Sequence, residues 1–185
     1  MINDAAFIAD AKVTESVPEQ ITITATDVAM LKAALALTEI VDQLKKHIFY
    51  GRELNVAKIE ESKQEALNLL QTTPSESSVT ISNKEHIRIC HSILGMNTES
   101  GELINVLLDI INTGDYDRVN FLEEMGDTQW YTGTALDATD STYQTLFDLV
   151  IAKLKKRYPN GKFESDRAIN RNVDEEYSVM SDHAG

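Results

Sequence analysis

Apolar residues recur at helical spacing along most of this chain, and only three prolines and eight glycines interrupt its 185 residues. Such a chain is far better suited to a few long helices than to many short strands. Val28, Leu31, Leu35, Ile40, Val41, Leu44 and Ile48 mark one helix, expected to run from an N-cap at Asp27 to Gly51. Val56, Ile59, Ala66, Leu67 and Leu70 mark a second. Ile87, Cys90, Leu94, Leu103, Val106, Leu107 and Ile110 mark a third helix or a kinked pair, with Gly95 at the kink and Gly114 at the stop. Two more helices are predicted, from about Tyr116 to Leu136 and from Asp140 or Ser141 to Pro159. Residues 1–25 show no helical period and read as a flexible N-terminal arm with a short extended piece at ITIT. Residues 72–84 read as a linker, and the chain after Phe163 as a polar tail, partly helical around 166–179. No segment reads as a sheet, so the expected class is all-α, a bundle of antiparallel helices with short connections.

The helices carry an internal repeat. Aligning Thr38 with Thr98 places Glu39 over Glu99 and Asp42 over Glu102. After a short insertion, Gly51 falls on Gly114, Glu60-Glu61 on Glu123-Glu124, and Gln64 on Asp127. Two helical hairpins of one design are thus expected in tandem, over 26–71 and 85–165, with 166–185 as a tail.

The second hairpin contains Glu99-x-x-Glu102 and Glu124-x-x-Asp127. Positions i and i+3 share a helix face, so each pair can aim two carboxylates in one direction. A hairpin turning at Gly114 can set the pairs opposite each other, and Ser100, Gly101 and Gly126 would let the two helices approach closely. Converging carboxylates repel and resist desolvation unless a cation neutralises them, and all-oxygen ligation favours Mg²⁺, with Mn²⁺ as the alternative. A carboxylate di-iron centre would want Glu-x-x-His pairs, and the chain has none. The bland competitor is a pair of solvated acidic helix faces.

Charge is unevenly spread. The whole chain carries −13. Residues 85–152 hold twelve carboxylates against Arg88 and Arg118, whereas residues 153–171 hold seven cations against Glu164 and Asp166. Acidity excludes a non-specific nucleic-acid coat, which needs clustered Lys and Arg. An acidic cradle beside a basic helix end suits a metal-bound polyphosphate, with at least one of Lys153, Arg157 and Arg171 as a phosphate ligand; a helix C-terminus enriched in cations for its dipole is the simpler alternative. There is no GxxxxGK[ST] loop, and Cys90, the only cysteine, lies on an apolar stripe, as a core thiol would. The polar N-terminus and the lack of an apolar run of about 18 residues predict a soluble, cytoplasmic protein with no membrane partner.

Three runs then point to one family: HSILGMNTESGELINVLLDIINTGD, FLEEMGDTQWYTG and IAKLKKRYPNGKF. Together they resemble the MazG-like branch of the all-α nucleoside triphosphate pyrophosphatases over residues 86 to about 176. The resemblance implies a helical bundle of that type and Mg²⁺-dependent hydrolysis of a (d)NTP to (d)NMP and pyrophosphate. It implies that Glu99, Glu102, Glu124 and Asp127 hold the metal and serve catalysis, with Lys153, Arg157 and Tyr158 on the phosphates, where the charge distribution adds Arg171 as a candidate. It places His91 at the base or sugar pocket, where a partly buried helix histidine is the alternative; Trp130 reads as core packing. Val150 replaces an Asn that many relatives carry before the Lys153 segment. The first repeat has decayed to Glu61-x-x-Gln64, so 26–71 is read as a degenerate copy beside a catalytic one. A homo-oligomer is expected, a dimer or a dimer-like pseudo-dimer within the chain. The rival reading is a catalytically inactive helical module that binds a nucleotide or a protein.

Overall fold

The computed structural model describes residues 3–71 and 77–181. Among these are eight helices and one two-stranded ribbon: α1 (Asp4–Thr14), β1 (Ile21–Thr24), α2 (Ala25–Tyr50), α3 (Val56–Gln71), β2 (Ser78–Ile81), α4 (Lys84–Thr113), α5 (Arg118–Ala138), α6 (Tyr143–Arg157), α7 (Ser165–Ile169) and α8 (Val173–Ser181). The all-α expectation holds at this level. None of these helices is long and apolar enough to cross a membrane.

The chain divides into two compact units, Gln20–Ile81 and a second made of Met1–Glu19 with Ser82–Gly185. In the first, α2 packs on α3 around Ala33, Ser62 and Ala66, all buried. Small residues at these points keep the two helices close. The start of α2 differs from expectation by one turn element: Thr24 is the N-cap and Asp27 sits at N3, the two closing a reciprocal capping box. Gly51 ends α2 as expected, in the left-handed region that only glycine enters freely. The ITIT segment is β1, and it pairs antiparallel with β2, Ile21 opposite Ile81 and Thr24 opposite Ser78. The expectation of no sheet, and of a structureless linker through residue 84, is corrected by this ribbon; residues 72–76 of that linker lie outside the described residues.

In the second unit, α4 and α5 form the main hairpin, with Ile87, Val106 and Leu136 buried in it. α4 runs through Gly95 as one continuous helix, so of the two alternatives it is the single helix and not the pair. Its stop at Gly114, with φ 76°, is as expected. The N-terminal segment is no free arm. Residues 4–14 form α1, which packs on α5: Phe7 and Ile8 lie over Gly133, and Phe7 faces Tyr143 at a ring distance of 6.4 Å. Glu15 and Asp137 both reach Arg88, and Lys12 reaches Asp137, which ties this segment to α4 and α5. Lys12 and Arg88 hold the Asp137 carboxyl below its ordinary range. α6 packs on α8, so the polar tail is ordered through residue 181.

Candidate metal centre

The register of α4 on α5 follows from two contacts. Ser92 and Thr134, both almost fully buried, share a hydrogen bond of 2.9 Å. Because the Thr134 hydroxyl donates to the Tyr131 carbonyl, the Ser92 hydroxyl is the donor between them. One turn further along α4, a Cβ on Gly95 would lie 2.1 Å from the Tyr131 ring, so only glycine admits that ring. These positions step by three on each helix and in opposite directions, which makes the pair antiparallel. Continuing with steps of four and three along α4 reaches Glu99 and Glu102; the same steps back along α5 reach Asp127 and Glu124. Val106, buried, is the next position of this seam. By this spacing the acidic residues fall along the helix–helix seam, Glu124 buried in it and Glu102 and Asp127 at its exposed edge, a pattern like that of a coiled-coil interface.

Glu99, Glu102 and Glu124 meet there. One carboxylate oxygen from each lies within 4.8 Å of the others, with Glu124 buried, Glu99 half-buried and Glu102 exposed. Burial pushes the Glu124 carboxyl above its ordinary range, and Glu102, then Glu99 and Glu123, push it the same way. Thr98 donates to Glu99 at 3.3 Å, but among the described residues no Lys, Arg or His forms an ion pair with any of the three. A buried carboxylate compensated only by other carboxylates is a site short of positive charge. The donor set is all oxygen from two rigid helices, and it fits Mg²⁺ or Mn²⁺. Asp127, the fourth expected ligand, is exposed and stands outside the three-oxygen group.

Gly101 and Gly126 do not mediate the close approach expected of them: both are exposed, and a Cβ on either would meet nothing within 4 Å. Gly95 takes that role. His91 sits one turn before Gly95, half-buried, edge-on to Trp130 at 6.1 Å and to Tyr131 at 5.6 Å. Trp130 donates its indole N–H to Thr14 at 3.1 Å, which pins it to the end of α1, in keeping with a packing role. Tyr131 is raised above its ordinary range by burial, then by Glu99 and Asp127, so this aromatic cluster borders the carboxylates.

The expected phosphate ligands gather elsewhere. Arg157, at the end of α6, donates through Nε and Nη2 to the two oxygens of Glu176 at 2.8 and 2.7 Å. Arg171 donates to the same carboxylate at 2.6 Å. Tyr158 lies beside them, its ring 5.8 Å from the Arg157 guanidinium. Lys153 is half-buried one turn earlier on α6 and makes no ion pair among the described residues. Glu176 itself was not legible: it is one of three acids in the first turn of α8, and only the fold selects it. No hydrogen bond or ion pair among the described residues joins this cluster to the three carboxylates.

No protein-family model, curated protein or solved structure matches this chain.

Proposed function

We propose that this chain is a nucleotide pyrophosphohydrolase of the MazG-like kind, dependent on Mg²⁺ and splitting a (d)NTP into (d)NMP and pyrophosphate. The observation that carries the reading is the meeting of Glu99, Glu102 and Glu124 from two helices, with no Lys, Arg or His paired to them among the described residues. In this reading those three hold the ion, and Asp127, one turn from Glu124 on α5, completes the ligand set. When bound, Mg²⁺ supplies charge neutralisation at the phosphates and a lowered water pKa for attack on the α-phosphorus. The chain's own part is positioning. The Ser92–Thr134 bond and the Gly95–Tyr131 contact hold α4 close to α5, which keeps the backbones that carry the carboxylates together. Lys153, Arg157, Tyr158 and Arg171 are the phosphate ligands, and His91, edge-on to two aromatic rings, lines the base or sugar side. The active species is a homo-oligomer, and its place is the cytoplasm.

The test is release of pyrophosphate, measured against orthophosphate, from a panel of (d)NTPs with Mg²⁺. Glu124→Ala should lower the rate at least a hundredfold. Mg²⁺ at about a hundred times its Kd should stabilise the wild-type chain by about 2.7 kcal/mol, and the variant hardly at all. Activity that survives Glu124→Ala, or a melting temperature indifferent to Mg²⁺ in the wild type, would overturn the assignment.

A further inference from the structure

The most buried side chain of α8 is a charged one. Val173 and Tyr177 are exposed, and Glu176 is the one buried residue of the helix. Its carboxylate, 3% exposed, is held bidentately by Arg157 and again by Arg171. Lys156 adds a more exposed pair with Glu175 at 2.6 Å. A helix of nine residues is not stable by itself in water, so α8 stays formed through its contacts with the unit, of which the Glu176 carboxylate is the most buried and Val179 and Met180 are half-buried.

What Glu176 occupies has the form of a phosphate seat. Two guanidinium forks aimed at one point are the arrangement that takes a carboxylate or a phosphoryl group through paired hydrogen bonds. A cavity of about 220 Å³ adjoins it, lined by Arg157, Arg167, Asn170, Asn172 and Glu176 among others, and therefore rich in donors. Lys156, Arg157, Arg167 and Arg171 are paired there with Glu164, Glu175 and Glu176. With Glu176 in place the seat is close to neutral. Without it, Arg157 and Arg171 present two uncompensated charges, a match for a diphosphate rather than for a single carboxylate.

We propose that Glu176 is the resident occupant of this seat, and that an incoming diphosphate group displaces it and so releases α8. The inference rests on the reading of Arg157 and Arg171 as phosphate ligands. The diphosphate can be free pyrophosphate or the tail of a nucleoside triphosphate, and α8 serves as a latch that responds to either.

Hydrogen exchange of residues 173–181 in the full chain tests this. Inorganic pyrophosphate and a non-hydrolysable dNTP are the two probes, with sodium chloride at matched ionic strength as the control. Saturation should speed exchange in α8 at least tenfold. A response to both probes identifies a seat for pyrophosphate, whereas a response to the dNTP alone identifies one for substrate. Glu176→Gln should exchange fast without any probe and bind pyrophosphate at least tenfold more tightly than wild type by calorimetry. Exchange in wild-type α8 that is unchanged or slowed by both probes sinks the latch, whether or not the variant folds. Hydrolysis abolished by Glu124→Ala with a silent α8 removes the latch and keeps the enzyme; a responding α8 without hydrolysis does the reverse.

Discussion

Gly95 shows how much a single missing methyl group decides. The Tyr131 ring fills the space where a Cβ would stand, and His91 and Trp130 pack edge-on around that ring. An alanine there must push an aromatic ring that has neighbours on two sides, at a cost of about 1 to 3 kcal/mol. Gly95→Ala should therefore lower stability by that amount in denaturant unfolding, although alanine is the better helix former by about 1 kcal/mol. Tyr131→Leu in the same chain should recover part of the loss, because the clash is with ring carbons. A double-mutant cycle measures this: a coupling energy near zero would show that the helices simply part and that the close approach does not set their spacing. By contrast, Gly101 or Gly126 to alanine should be neutral or slightly stabilising in the same assay, since both face open space. The sequence pointed to Gly101 and Gly126 for the close approach and to Gly95 for a kink; only the opposing ring shows that the approach is at Gly95.

At the scale of elements, what was legible depended on how local its causes are. The apolar period and the two glycine stops placed α2, α4 and α5 to within a few residues, because helix limits are set by neighbours in sequence. The ribbon was missed because its strands meet across the α2–α3 hairpin, Thr22 lying opposite Thr80, and four-residue strands carry almost no period. α1 was missed because it buries only Ala11 fully and owes its place to Gly133 and to the Arg88 ion pairs. The carboxylate pairs were legible from i, i+3 spacing, and three of the four do converge. The clamp on α8 was not, since nothing in a run of acids says which one will meet two arginines. That clamp has an acid signature. Arg157, then Arg171, hold the Glu176 carboxyl down at about 2, against an ordinary value of 4.5. A carboxyl depressed on folding contributes its full stabilisation above the unfolded value and loses it as pH falls through the folded one. Protection of the α8 amides should thus be constant above pH 4.5 and fall between pH 4.5 and about 2. In Glu176→Gln that fall should be absent, with protection low throughout. An equal acid transition in the variant would assign it to other carboxylates.

For the molecule as a whole, the apolar content exceeds what its two units bury. α4 shows this most plainly. The seam of Ser92, Gly95, Glu99, Glu102 and Val106 faces α5, yet Ile104, Leu107, Leu108 and Ile111 form a second stripe nearly opposite and remain exposed, Ile111 at 67%. In the other unit, α2 leaves Leu35, Val41, Leu44 and Ile48 exposed. A helix that is apolar on two sides can pack between two partners, and in the proposed homo-oligomer this exposed stripe is the face that associates. Full burial is worth about 1.5 to 3 kcal/mol for each Leu or Ile, and covering what remains exposed of the four α4 residues on each of two copies recovers roughly half of that per residue, a gain comparable to a typical association entropy. The metal reading leans the same way, since a surface that excludes water along α4 would stiffen the helix that carries Glu99 and Glu102. The wild-type chain should therefore sediment at two or more times 20.6 kDa at micromolar concentration. Leu107→Lys together with Ile111→Lys should shift it to the monomer while leaving helix content intact, because neither residue lies on the α5-facing seam. If pyrophosphate release falls with the loss of association and returns when the two lysines are reverted, the carboxylate centre depends on the assembled form. A wild-type chain that sediments as a monomer would refute the association.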